Sequence, residues 1–147
     1  MKKSGNTTAN LAAQILIRKE LGFVLPTAKR KRNLVVAFAK RDMIVYGKAF
    51  DILRLGKPID LDSLEEVEAQ LDQITLYEIK STKQDFNEAF DGYFFGLTAA
   101  EVLVAQSLKK RFQFVFVNTL SEFHRELTLS QIFARARGIY PTWSIAF

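Results

Sequence analysis

The chain has 147 residues, 48% apolar and 25% charged, with a mean hydropathy of zero and a formal net charge of +5; that suffices for one globular domain whose core needs no disulfide or metal staple. The absence of cysteine excludes a disulfide scaffold, a zinc finger and a thiol nucleophile, and a single histidine, His124, excludes a polyhistidine metal site or a two-histidine phosphotransfer pair within one chain. No apolar run reaches the roughly 18 residues of a bilayer span and the opening MKKSGNTTAN lacks the apolar stretch of a signal peptide, so the expectation is a cytoplasmic protein with no membrane partner.

Thr7 or Thr8 can cap a helix through Leu11, Ile15, Leu16 and Leu21, apolar on one face and stopped by Gly22. Residues 23–26, Phe-Val-Leu-Pro, read as an extended connection, after which Thr27 opens a basic segment whose Leu34, Val35 and Phe38 permit a short second helix. From residue 43 the period changes to two: 43–46 and 49–55 predict a strand pair around a turn at Gly47 and Lys48. Residues 61–71 have helical spacing at Leu64, Val67 and Leu71 and interrupt the sheet, which resumes as a strand over 74–81. Thr98 and Glu101 make a capping box for a helix over 99–108, and 112–117 read as a nearly continuous buried strand. A helix over 129–137 and a last strand over 142–147 complete the reading. His124 falls in a loop-like stretch and receives no role. This order predicts an α/β chain: one domain over 1–147, with a mixed β-sheet flanked by helices.

Charge is segregated along the chain. Residues 1–57 hold 13 Lys/Arg against 3 Asp/Glu, residues 58–101 hold 2 against 11, and residues 102–147 hold 6 against 2. The run Lys29, Arg30, Lys31, Arg32 suits a phosphate backbone, because each neutralised phosphate releases counterions; it also suits a solvated helix face. The acidic stretch, an insertion over about 57–73, is expected to be a solubilising element or a negative lid.

The chemistry gathers around the strand at 74–81. Glu78 and Lys80 project to one face and Ile79 to the other, near the strand's end where a cleft can form. Asp51 is an equally unexpected charge between Phe50 and Ile52, and pairing of the two strands would set it beside Glu78. Two carboxylates that close raise each other's pKa unless a cation lies between them. With oxygen ligands only, that cation is Mg2+ or Mn2+, and Lys80 would orient a water or stabilise transition-state charge in phosphodiester hydrolysis. A structural ion pair at a strand end is the alternative for the same residues.

The combination of Asp51 in AFDI, Glu78-Ile79-Lys80 in LYEIKST, and a following helix and buried strand resembles the PD-(D/E)xK nuclease superfamily, with its restriction endonucleases and junction resolvases. FFGLTAAE, FQFVFVN and IFARARGIYPTW more loosely resemble the nuclease-related domain ending the NO VEIN proteins. The resemblance implies a restriction-endonuclease-like core of helix, three strands, helix and strand. It implies a metal held by Asp51, Glu78, the Ile79 backbone carbonyl and, in some members, an acidic residue matching Glu20, with Lys80 as water-positioning base or electrostatic partner. Phe50 stands where the motif's proline would be. The implied activity is metal-dependent hydrolysis of DNA, within a restriction, defence or repair system.

Around that site Lys48, Thr82, Lys83 and Gln84 are placed to touch a phosphate or sugar, together with the run from Lys29 to Arg32. Glu101 reads as structural, its carboxylate already engaged by the cap. The phenylalanines of 86–95 and 112–123 read as core. Trp143 could anchor a partner or a second copy, with Arg135 and Arg137 beside it for DNA; a homodimer or a larger complex would cut two strands. A nucleic-acid-binding or assembly module that keeps the fold without cleaving is the alternative function. Nucleotide-metabolism chemistry lacks support, since no Gly-rich phosphate loop is present.

Overall fold

A computed structural model describes residues 2–86, 90 and 92–147, with side chains in the first helix from residue 8 onward. The predicted α/β class is observed: a five-stranded mixed sheet carries helices on both faces. Strand order follows chain order: β1 (Phe23–Val24), β2 (Ile52–Leu55), β3 (Ile74–Thr82), β4 (Phe112–Asn118) and β5 (His124–Leu127). Only β3 and β4 run parallel; the other neighbours are antiparallel. Helix α4 (Ala99–Leu108) makes the crossover that a parallel pair requires.

One face of the sheet is covered by α1 (Lys2–Arg18), whose Ala12, Ala13, Ile15 and Leu16 pack on Ile52, Tyr77, Ile79, Val115 and Val117. The helix is already formed at Lys2, so residues 7 and 8 lie within it and do not cap it, and Leu11 and Leu21 face water. The opposite face carries the larger core. There α2 (Ala28–Ala39), α3 (Leu64–Ala69), α4 and α5 (Leu129–Arg135) bury Phe38, Val67, Val104 and Ile132 against Leu53, Leu76, Phe114 and Phe116.

Two predicted strands are absent. Residues 43–46 form none: the Met43 N–H turns back to the Phe38 carbonyl, and the Ile44 N–H donates to Ser107 Oγ of α4. The place beside β2 is taken by Phe23 and Val24, read from sequence as a connection. Gly22 permits that return: its φ is +93°, and a Cβ there would lie 2.9 Å from the Leu55 carbonyl oxygen, which belongs to the same close approach as the Leu55 N–H to Gly22 hydrogen bond. Residues 142–147 likewise have no strand pairing; the chain after α5 is exposed and without regular structure.

The acidic segment does not interrupt the sheet's pairing, because it leaves the sheet altogether. Ser63 caps α3, and α3 packs on α2, placing acids against the basic run. Arg30 makes two hydrogen bonds to the Asp62 carboxylate, Lys40 pairs with Glu68, and Arg41 pairs with Asp72. Among the described residues no helix is long and apolar enough to cross a membrane.

Candidate active site

Asp51 stands one residue before β2 and extends the ladder. Its N–H donates to the Tyr77 carbonyl at 2.9 Å, and the register Ile52 to Tyr77, continued by one, sets it opposite Glu78. Its carboxylate accepts from the Ile79 N–H at 2.9 Å through Oδ2, which fixes the side chain at the end of the strand pair. Because a residue's N–H and C=O leave a strand on the same side, the Ile79 carbonyl also points past the end of β2, toward the Asp51 side. Lys31 reinforces this turn from α2: its ammonium donates to the carbonyls of Gly47 and Phe50 and lies over the Phe50 ring.

Glu78 and Lys80 project to the face covered by α4, the same face as Ile74 and Leu76. Their side chains are only 13% and 16% exposed. Among the described residues Glu78 Oε2 is buried with no hydrogen-bond donor in reach. Burial, then the neighbouring Asp51 and Glu101 carboxylates, push the Glu78 carboxyl up to about 9 against the weaker pull of Lys80, and in the protonated form it hydrogen-bonds Asp51.

Sequence reasoning set Glu101 aside, yet it belongs to this cluster. It occupies the third position of α4, completes the capping box with Thr98, and is buried. The Oε1 atom that accepts from the Thr98 N–H also accepts from Lys80 Nζ at 2.8 Å, whereas Lys80 lies 3.8 Å from Glu78. The signal was in the sequence: the capping box fixes where Glu101 starts its helix, and a parallel crossover brings that helix start over the carboxyl end of β3.

The donor set fits a hard divalent cation. Asp51 and Glu78 oppose each other, Glu78 has a buried oxygen lacking a donor, and all candidate ligands are oxygens. Among the described residues no three acidic or imidazole side chains form a metal-binding group.

The outer residues divide. Glu20 is not part of the site: it lies in the turn after α1, two residues before the Gly22 that contacts Leu55, at the end of β2 away from Asp51. Its helix also covers the other sheet face. Arg30 and Lys31 are held internally by Asp62 and by the carbonyls before Asp51, so they are not the free phosphate contacts expected, while Lys29 and Arg32 face water. Lys48 is exposed in the turn before Asp51 and Lys83 is exposed just beyond β3. Thr82 and Gln84 serve the local turn: the Thr82 Oγ1 accepts from the Gln84 N–H, and the Gln84 carbonyl accepts from Asn118.

His124 also has a place. On the α1 face Glu126 receives both terminal nitrogens of Arg54 at 2.9 Å and the Tyr77 hydroxyl at 2.7 Å. Lys19 Nζ lies 2.7 Å from His124 Nδ1, so that nitrogen accepts from the ammonium, and His124 Nε2 lies 3.4 Å from Glu126 Oε2. This network joins β2, β3 and β5 to the turn after α1. Comparison with family models, curated proteins and solved structures finds no match for this chain.

Proposed function

We propose that the chain is a metal-dependent nuclease that hydrolyses DNA phosphodiester bonds with Mg2+ or Mn2+ at Asp51 and Glu78. The observation that carries this reading is the convergence of Asp51, Glu78 and Lys80 at one strand-pair end, on the face covered by the start of α4. A hairpin-rim ion pair would gain nothing from two facing carboxylates, one of them strained toward its neutral form. The element order from α1 to β4, with α2 and α3 added between the strands, also agrees with the core that the PD-(D/E)xK resemblance implies.

A divalent ion in this place would polarise a phosphoryl oxygen and lower the pKa of a coordinated water. The chain's own residues do the rest. Asp51 is held by the Ile79 N–H through Oδ2 and would be one of the two carboxylates that hold the ion. Glu78 must release its proton before it can bind a cation. Lys80 supplies a hydrogen-bond donor and a positive charge for the water and the developing phosphorane. Glu101, which touches neither ion nor substrate in this scheme, holds the Lys80 ammonium at 2.8 Å. Lys48 and Lys83, exposed on either side of the site, are suited to phosphates of the same strand.

A non-catalytic nucleic-acid module is the second reading, favoured by one observation: Lys80 lies nearer Glu101 than Glu78. Plasmid and single-stranded DNA incubated with Mg2+ or Mn2+ separate the two. Nicking by the native protein that is lost in both Glu78→Ala and Lys80→Ala supports the enzyme. Binding without cleavage in either metal supports the module. A homodimer or a larger complex would supply the second cut on duplex DNA.

A further inference from the structure

Of the basic run from Lys29 to Arg32, only Lys31 reaches the end of β2. Arg30 meets Asp62, and Lys29 and Arg32 face water. The Lys31 side chain is half-buried. Its ammonium donates to the Gly47 carbonyl at 2.9 Å and to the Phe50 carbonyl at 2.8 Å, and lies 4.8 Å from the centre of the fully buried Phe50 ring. Among the described residues these partners are peptide dipoles and a ring face rather than a carboxylate, unlike the ion pairs that α2 makes with the acidic segment. What Lys31 grips is the backbone immediately before Asp51.

That backbone breaks the ladder in one place. The Leu55 N–H donates away from β3, to Gly22, and the next N–H, of Gly56, donates to Gln73 on the β3 side. Odd-numbered residues of β2 therefore turn their backbone groups away from β3 and even-numbered ones toward it. A ladder continued regularly from Ile52 and Tyr77 would point the Asp51 N–H outward and give the Ile79 N–H to the Phe50 carbonyl. The structure has the Phe50–Asp51 peptide turned over: the Asp51 N–H donates to the Tyr77 carbonyl, and the Phe50 carbonyl, on the opposite edge of the same planar unit, goes to Lys31. The Ile79 N–H is left for Asp51 Oδ2, which takes it at 2.9 Å.

We infer that Lys31 is a positioning residue for the Asp51 carboxylate: it holds the Phe50 carbonyl away from β3 and so keeps the Ile79 N–H for Asp51. Without Lys31 the peptide turns back, its carbonyl takes the Ile79 N–H, and the carboxylate loses its anchor opposite Glu78. The consequence for a cation rests on the nuclease reading, and its sign is opposite to that of charge alone. Deleting a nearby positive charge would by itself tighten cation binding. Loss of positioning loosens it, as for other groups that orient metal ligands from outside.

Scalar coupling across the hydrogen bond, measured by NMR on the metal-free protein, reads the contact directly. In the native chain the Ile79 amide nitrogen should couple to the Asp51 carboxyl carbon. In Lys31→Met, which keeps the aliphatic stem and loses the donors, that coupling should vanish, with one to the Phe50 carbonyl carbon in its place. Lys31→Gln keeps an amide donor, should show the same exchange in part, and serves if Lys31→Met does not fold. Calorimetric titration with Mn2+ in the absence of DNA should give an affinity roughly 10- to 100-fold weaker for Lys31→Met. Thr27→Ala controls for mere loosening of α2. It removes the side chain that caps the helix at the Arg30 N–H, and should lower the melting temperature while leaving both coupling and affinity as in the native chain. Absence of the Ile79–Asp51 coupling from the native chain, its persistence in Lys31→Met, its loss in Thr27→Ala, or a Mn2+ affinity unchanged or tightened in Lys31→Met overturns the inference. A native chain that binds no Mn2+, with the coupling lost in Lys31→Met, keeps the positioning role and defeats the nuclease reading. Mn2+-dependent cleavage by a native chain whose coupling survives in Lys31→Met does the reverse.

Discussion

Glu78 has the most to lose from ionisation. Its folded pKa is raised to about 9, so between its ordinary carboxylate range and pH 9 the folded chain binds more protons than the unfolded one, and stability falls as pH rises through that window. The urea midpoint should therefore be lower at pH 9 than at pH 6, and Glu78→Gln should flatten that slope. Mg2+ should raise the midpoint more at pH 9 than at pH 6, because the ion binds the ionised pair and stabilises by mass action. A native slope equal to that of Glu78→Gln would show that the Glu78 carboxyl is not raised in the folded chain. Glu101 permits a cleaner separation of roles. Gln at the same position keeps the capping box but removes the charge facing Lys80. Glu101→Gln is expected to unfold within about 1 kcal/mol of the native chain and to lose at least roughly tenfold in cleavage rate. Thr98→Ala should do the opposite, costing about 1 kcal/mol of stability with cleavage nearly unchanged. Thermal unfolding and a nicking assay on the two variants read both quantities.

Elements with strong local signals were the legible ones. The period-two run ending in Glu78 and Lys80, the Thr98 capping box and the apolar strand after it all stand as the sequence implies. The predicted strand over 49–55 is shorter, Ile52–Leu55 after a 3-10 turn at Gly47–Ala49, so Asp51 lies one residue outside it, and the register of Ile52 with Tyr77, continued by one, sets it opposite Glu78. The errors arise where partners are distant in sequence. A two-residue strand such as β1 has no periodicity to detect, and residues 43–46 alternate like a strand but send backbone donors to Phe38 and Ser107. The acidic stretch was misjudged because its meaning is relational: it is the counter-charge of α2. Exposed pairs such as Arg30 with Asp62 contribute little stability, so their consequence is electrostatic. A chain with Asp62→Asn, Glu68→Gln and Asp72→Asn should fold with stability changed by less than about 1 kcal/mol per pair. It should bind DNA more tightly, with a slope of log K against log salt steeper by up to about one per freed cation. An unchanged slope would mean that α2 faces away from any bound strand.

At the scale of the whole molecule, the sheet separates the carboxyl cluster of Asp51, Glu78 and Glu101 on one face from the network of Arg54, Tyr77, His124 and Glu126 on the other. That second network is what ties edge strand β5 to the interior: Glu126 lies on β5, Arg54 on β2 and Tyr77 on β3, with β4 between them. Burial alone would raise the Glu126 pKa, but the hydrogen bonds from His124 and Tyr77 and the charge of Arg54 hold it down to about 2. The stability it contributes is therefore present above the ordinary glutamate range and is lost as pH falls toward 2. Removing only one partner strands the others, because Arg54 and Tyr77 are partly to fully buried and would keep unpaired donors. Glu126→Ala should cost roughly 2–3 kcal/mol, less than a fully buried pair because both charged side chains keep some contact with water. Replacing both charges, with Arg54→Met and Glu126→Leu, should cost less than the sum of the two single changes, since an apolar pair leaves no charge behind. A double-mutant cycle in urea measures that coupling. Near-additive costs would mean that β5 is held by its ladder with β4 and by Leu127 in the core, and that the network spanning the sheet contributes no cooperativity of its own.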